Sequence, residues 1–132
     1  MIFIGTKLKN KDNSGVKKVI CIKIFGGTYY QKAFTGAVIK VSIKKAKYNQ
    51  KLKRKIKMDK KTQKCLIITS KFNTKRLNSF YLKFDENRSI LVDDQKKLLA
   101  SKILSPAAKE ILKNYKKYPN LKKIIVKSKI VF

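Results

Sequence analysis

The side chains with the most chemical reach in this sequence are lysines, and they are unevenly spaced. From Lys44 to Lys64, eleven of 21 positions are Lys or Arg, and Asp59 is the only acid. Lys44, Lys45, Lys47, Lys51, Lys53, Arg54, Lys55 and Lys57 form the densest block. A second group, Lys9, Lys11, Lys17 and Lys18, flanks the turn-forming triplet Asn13-Ser14-Gly15. Ammonium groups at this density hold phosphate oxygens by charge. Lysine lacks the planar fork of arginine, so such contacts fix a backbone in place without reading bases. A charged block is ordinarily a solvated face. Here 35 Lys and Arg stand against seven acids in 132 residues, a formal net charge of +28, which points to a polyanionic partner.

Catalytic chemistry has little to work with. Histidine is absent, which removes the commonest general base and the commonest metal ligand together. The acids are Asp12, Asp59, Asp85, Glu86, Asp93, Asp94 and Glu110. The neighbouring pairs Asp85-Glu86 and Asp93-Asp94 point to opposite faces of an extended chain, so salt-bridge and turn roles are expected of them. Cys21 and Cys65 lie in apolar runs with no CxxC spacing and no ligand partner nearby, which reads as two small buried hydrophobes. The expectation is a non-enzymatic protein with no cofactor and no metal.

The elements that must carry the lysines are mostly strands. Hydrophobic residues make up 43% of the chain, enough for one packed core, and no Pro/Gly/Ser linker or repeat divides residues 1–132. The N-terminus opens in strand-like alternation, with neither a signal-peptide core nor a transit segment. Val19 to Phe25 is nearly continuous β-former, ended by Gly26-Gly27. In the next strand Ile39, Val41 and Ile43 alternate with Lys40, Ser42 and Lys44, giving one buried face and one wet, basic face. Cys65 to Ser70 and Ile90 to Val92 read as buried strands on either side of Phe80, Leu82 and Phe84, whose alternation marks them as core. Short strands between turns suggest a small antiparallel barrel or sandwich. From about residue 105 the period changes. Ser105-Pro106 starts a helix, Ala108, Ile111, Leu112 and Tyr115 form its stripe, and Tyr118-Pro119-Asn120 stops it. Leu121 to Phe132 then reads as a basic, β-branched closing segment. Tyr29, Tyr30, Phe34, Phe72 and Tyr81 are candidates for stacking on unpaired bases, with core or subunit packing favoured for Phe34 and Phe72.

Seven collinear stretches carry a family resemblance: Thr6 to Val16, Val19 to Gly27, Gly36 to Ala46, Tyr81 to Asn87, Ile90 to Asp94, Ile103 to Leu112 and Lys123 to Ile125. Together they resemble the universal L-fourteen family of large-subunit ribosomal proteins, of bacterial or organellar type. That resemblance implies a mainly β fold, a small five-stranded antiparallel β-barrel with short C-terminal helical elements. It implies a structural protein docked on large-subunit rRNA, facing small-subunit rRNA across an inter-subunit bridge. Proteins of the L-three and L-nineteen families are its implied neighbours, and a ribosome-silencing factor is a further partner seen among relatives. Carried over onto this chain, Lys71, Ser101 and Lys102 fall in the inter-subunit and protein-interface region. The chain departs from the family pattern in several places. Its Tyr48 to Lys64 excursion is longer and lacks the usual Lys-Gly-Asp turn. Serines stand at Ser79 and Ser105 where the family has glycine, and the chain closes on Lys129-Ile-Val-Phe132.

Two other classes fit the charge. One is a free nucleic-acid-binding module on an OB-like barrel, such as a nucleoid or translation-regulatory protein. The other is a cationic membrane-surface protein, disfavoured because the helix from Pro106 is short and only weakly apolar. Three arginines among the 35 cations, with abundant Ile and Asn, fit an AT-rich coding sequence. A mitochondrial, organelle-encoded origin is therefore expected, with a plastid or a low-GC bacterium giving the same composition.

Overall fold

The computed structural model describes residues 1–26, 31–47, 62–114, 120–128 and 130–132. Five strands close into a barrel in the order β1 (Lys7–Asn10), β2 (Val16–Ile24), β3 (Val38–Ala46), β4 (Thr62–Thr69) and β7 (Arg88–Val92). Two short strands, β5 (Thr74–Lys75) and β6 (Tyr81–Leu82), pair separately as a ribbon between β4 and β7. Four of the barrel junctions are antiparallel; β1 and β7, which close the barrel, run parallel, with Lys9 opposite Arg88 and Asn10 opposite Ser89. The five-stranded barrel is thus as expected, but it is mixed. The last strand arrives beside the first in the same direction.

Two apolar clusters explain why some strands alternate and others do not. Leu8, Val19, Cys21, Ile39, Val41, Cys65, Ile67 and Leu91 fill the barrel interior. Leu66, Ile68, Ile90 and Val92 point the other way and are buried under Ile103, Ala107, Ile111 and Ile124. Strands β4 and β7 are therefore covered on both faces and read as continuous apolar runs. Strands β1, β2 and β3 keep one wet face.

Strand β2 is irregular in a useful way. Its inward residues are Val16, Val19, Cys21 and Ile24, so the spacing runs three, two, three. Register shifts against β3 lie between Val16 and Lys18, between Lys18 and Val19, and between Cys21 and Lys23. The first and third put an extra residue in β2 and turn two successive residues outward there, Lys17 with Lys18 and Ile22 with Lys23, while the second puts its extra residue in β3.

The C-terminal region corrects the sequence reading. In place of a helix from Pro106, a 3-10 helix spans Lys109–Asn114. The Ala107 carbonyl, which an α-helix would offer to Ile111, instead accepts the Phe132 amide at 2.9 Å. The Ile111 amide then turns back to Ala108 at 3.2 Å, the tighter i to i+3 bond. The closing segment, read only as basic and β-branched, contains helix α1 at Asn120–Lys127, in keeping with the short C-terminal helical elements expected. Ile124 is buried in the outer cluster and Ile125 packs against it. That one-sided burial overrides the β-propensity of Ile124-Ile125-Val126. Asn120, read as a stop, is also a favoured helix-starting residue.

The ribbon is the other correction. Phe80 lies 71% exposed, and Leu82 and Phe84 are only half-buried, because β6 stands outside the barrel wall. Phe34 and Phe72, exposed by 51% and 43%, are not core; they meet edge to face at 6.2 Å on the surface.

Candidate nucleic-acid interface

The turn between β1 and β2 is built on a buried carboxylate. Asp12 Oδ1 accepts hydrogen bonds from Asn10 Nδ2 at 2.7 Å and from the Ser14 amide at 2.9 Å, and also from the Ser14 hydroxyl. Its Oδ2 accepts the Leu91 amide of β7 at 2.8 Å. Asn10, Asp12 and Ser14 are all buried. Gly15, at φ +87°, takes the left-handed conformation that lets the chain reverse into β2. Its carbonyl accepts the Lys47 amide at 2.7 Å, which fastens the end of β3 beside the turn.

This arrangement gathers lysines distant in sequence. Lys9, Lys11, Lys17, Lys18, Lys45 and Lys47 line one open depression of about 500 Å³ over the turn. Asp12 is the carboxylate among its lining residues, and four donors already occupy its oxygens. Lys9 stands opposite Lys18 across β1 and β2, and Lys18 opposite Lys45 across β2 and β3. Arg88 extends the row on the far side of Lys9. Glu86 sits between those last two, bound to Lys9 and, at 3.1 Å, to Arg88 Nε. The Lys9 ammonium, then the Arg88 guanidinium, hold its carboxyl below the usual carboxylate range. Cross-strand like charges in direct register are individually destabilising. A row of this kind is stabilised by an anion that lies across it.

Lys44 and Lys71 line an adjoining depression with Lys7, Lys9, Lys18 and Asp85. The Lys71 amide donates to Asn87 Oδ1 at 2.9 Å. Ser101 and Lys102 sit elsewhere, tied to the turn: Asn13 Nδ2 donates to Ser101 Oγ at 2.7 Å, and the Lys102 amide donates to Asn13 Oδ1 at 3.0 Å. The structure thus joins Lys71 to the cationic wall and Ser101 and Lys102 to its rim. Lys51, Lys53, Arg54, Lys55 and Lys57 lie outside the described residues, as do Tyr29 and Tyr30. Arg88 and Glu86 were not legible as part of the site, since only strand register puts them there.

Two further acids pair with cations. Glu110 receives Arg76 Nε at 2.8 Å and Arg76 Nη2 at 3.2 Å, and that carboxylate raises the guanidinium pKa. Asp94 pairs with Lys64 at 2.7 Å, and the Asp93 backbone carbonyl closes a turn by accepting the Lys96 amide at 2.8 Å. Cys21 and Cys65 are free and buried. Among the described residues, no group of three or more acids and cysteines could hold a metal, and no helix is long and apolar enough to cross a membrane.

A closed barrel, apolar-covered on one side and walled with lysine on the other, defines a basic β-barrel domain suited to lie against a polyanion. The model of the ribosomal protein L14p/L23e family matches residues 1–129, and the chain belongs to that family. It is accordingly a structural constituent of the large ribosomal subunit, in a generally non-enzymatic family whose partners are rRNA and other ribosomal proteins.

Proposed function

We propose that this chain, as one domain, binds large-subunit rRNA through the cationic wall of β1, β2 and β3. There it contributes to a bridge that meets small-subunit rRNA. One observation carries the reading: six lysines, four on three strands and two just past strand ends, converge on one depression whose lining carboxylate, Asp12, is buried and fully engaged. Phosphate oxygens are the chemistry that such a wall attracts, and the contacts position a backbone without reading sequence. The basic excursion through Lys51, Lys53, Arg54, Lys55 and Lys57 adds charge on the same chain.

Lys71, Ser101 and Lys102 are the proposed protein-interface residues. The proposed neighbours are proteins of the L-three and L-nineteen families, with a silencing factor as an occasional occupant. The lysine, isoleucine and asparagine bias supports the ribosome of a mitochondrion with an AT-rich genome; a plastid or low-GC bacterium is the competing source.

The test replaces Lys17, Lys18 and Lys45 by Gln and follows the protein through sucrose gradients at rising salt. The wild-type chain stays with large subunits through a high-salt wash, whereas the triple variant is released at lower salt. If the variant is retained as firmly as the wild type, the wall is not the rRNA contact. For the bridge, Ser101→Glu with Lys102→Glu lowers the yield of joined ribosomes while leaving large-subunit occupancy unchanged. Equal loss from both fractions would mean that these residues serve assembly and not joining.

A further inference from the structure

Strand β2 carries its outward-turning bulge twice, and the second one builds a second cationic row. The shift between Cys21 and Lys23 turns Ile22 and Lys23 outward, as the earlier one turns Lys17 and Lys18. Lys23 then stands directly opposite Lys40 on β3, and Lys40 directly opposite Lys64 on β4. Five residues separate this row from the Lys18–Lys45 row on both β2 and β3, roughly 16 Å at a strand rise of about 3.3 Å per residue. A chain lying across one row therefore does not reach the other by side-chain flexibility alone. Lys7 and Lys44 line the first wall, whereas Lys23 and Lys40 line neither depression described above.

Three lysines in direct cross-strand register raise one another's free energy unless an anion joins them. Asp94 offsets part of this through Lys64, but that carboxylate is 83% exposed and its pair is solvent-screened. The row also has an aromatic neighbour. Phe25, 43% exposed, lies with its ring centroid 5.4 Å from the Lys64 ammonium. Ile22 is exposed beside Lys23. Lysines with an exposed ring and an exposed aliphatic side chain are the parts used to hold an unpaired nucleic-acid segment. Charge takes the backbone, and the apolar surface takes a base.

We infer that Lys23, Lys40 and Lys64, with Phe25, form a second RNA contact that holds an unpaired segment separate from the strand on the Lys18–Lys45 row. The inference rests on the rRNA-binding reading above and extends it. The barrel grips two pieces of RNA at once and so fixes their spacing, which a single row cannot do.

Lysine acylation of purified large subunits, read by peptide mass spectrometry, tests it. In subunits, Lys23 and Lys40 react at least tenfold more slowly than in the free protein. Ultraviolet irradiation joins the peptide containing Phe25 to rRNA at unpaired nucleotides. A Lys23→Gln/Lys40→Gln variant of the full chain, whose exposed positions leave the core untouched, binds protein-free large-subunit rRNA with a salt slope shallower by about 1.4. If Lys17, Lys18 and Lys45 are protected while Lys23 and Lys40 react as in free protein, the second contact is wrong and the first stands. Protection of Lys23 and Lys40 with cross-links only to protein, or to base-paired RNA, also overturns it. If all five react as in free protein, the rRNA-binding reading falls as well.

Discussion

Asp12 shows how much one side chain organises. Its two oxygens serve donors from its own turn and the Leu91 amide of β7, so it ties the β1–β2 turn to the barrel's closing strand. Asp12→Ala strips acceptors from several buried donors at once. It is expected to cost about 3 kcal/mol, the range for buried groups left unsatisfied, as urea denaturation will measure. The sequence placed Asp12 only among the seven acids, next to the Asn13-Ser14-Gly15 turn, and its partner at Leu91, 79 positions away, follows only from strand register. The cysteines were more legible, because both sit in apolar runs and both are buried. Burial pushes the Cys21 thiol up and pushes the Cys65 thiol far above its ordinary range, with a smaller push from the Asp12 charge. Native protein should therefore resist thiol reagents at neutral pH, and both thiols should react once urea unfolds the chain. The linkage has a definite sign. The folded state holds these protons more tightly, so their contribution is whole below the ordinary thiol pKa of 9.0 and is lost as pH rises beyond it. Cys65→Ala should flatten that alkaline loss relative to wild type in denaturation curves at pH 8 and pH 10.

Elements were legible where a strand has one wet face and obscure where the backbone departs from regularity. The alternation of Ile39, Val41 and Ile43 with Lys40 and Lys44 is present in β3 as read. The bulges of β2 left no such trace, since Lys17-Lys18 and Ile22-Lys23 are ordinary strand letters until the partner's register is known. Phe80, Leu82 and Phe84 misled because alternation gives the period of a strand but not whether anything covers it. Two backbone positions test the elements directly. Gly36 opens β3 at φ +87°, and a Cβ there would meet the Ile111 Cα at 3.2 Å and the Glu110 carbonyl at 3.3 Å. Gly36→Ala should therefore destabilise by about 2 kcal/mol, through left-handed strain and a forced shift of the 3-10 helix. Ser79 sits at φ 59° between the two strands of the ribbon, a left-handed conformation that strains a residue with a side chain. Ser79→Gly should raise stability by about 1 kcal/mol by removing that strain. Thermal melts of the two variants beside wild type should move in opposite directions.

At the scale of the whole molecule the lysine rows have a side. The outer faces of β4 and β7 are sealed by the C-terminal segments, so the lysine rows are confined to the open wall of β1, β2 and β3 and its borders. Arg76 reinforces the seal, binding Glu110 and donating to the Phe132 carbonyl at 2.8 Å, which holds the ribbon, the 3-10 helix and the closing segment together. Composition made the excess charge plain, yet only strand register shows which of the described lysines stand together in rows. A net charge of +28 on so small a body must repel itself when the protein stands alone. Neighbouring lysines of a row sit on strands about 5 Å apart, inside the Debye length of about 10 Å at 0.1 M salt. Their repulsion is therefore only partly screened under those conditions. Between 0.02 and 0.5 M NaCl, order-of-magnitude limits set by the screening range, the melting temperature of the free protein should rise by several degrees. An equal-viscosity sucrose control should not reproduce that sensitivity to ionic strength. A short RNA should act more strongly than salt, because it binds the folded wall: at a concentration of 100 times its Kd it contributes about 2.7 kcal/mol. For a chain of this size that corresponds to a rise of roughly 10 °C. The RNA-induced rise should shrink as NaCl is added, because the same ions compete for the rows. A melting temperature indifferent to both salt and RNA would mean that the rows are already neutralised within the folded chain, and the polyanion reading of the wall would fail with it.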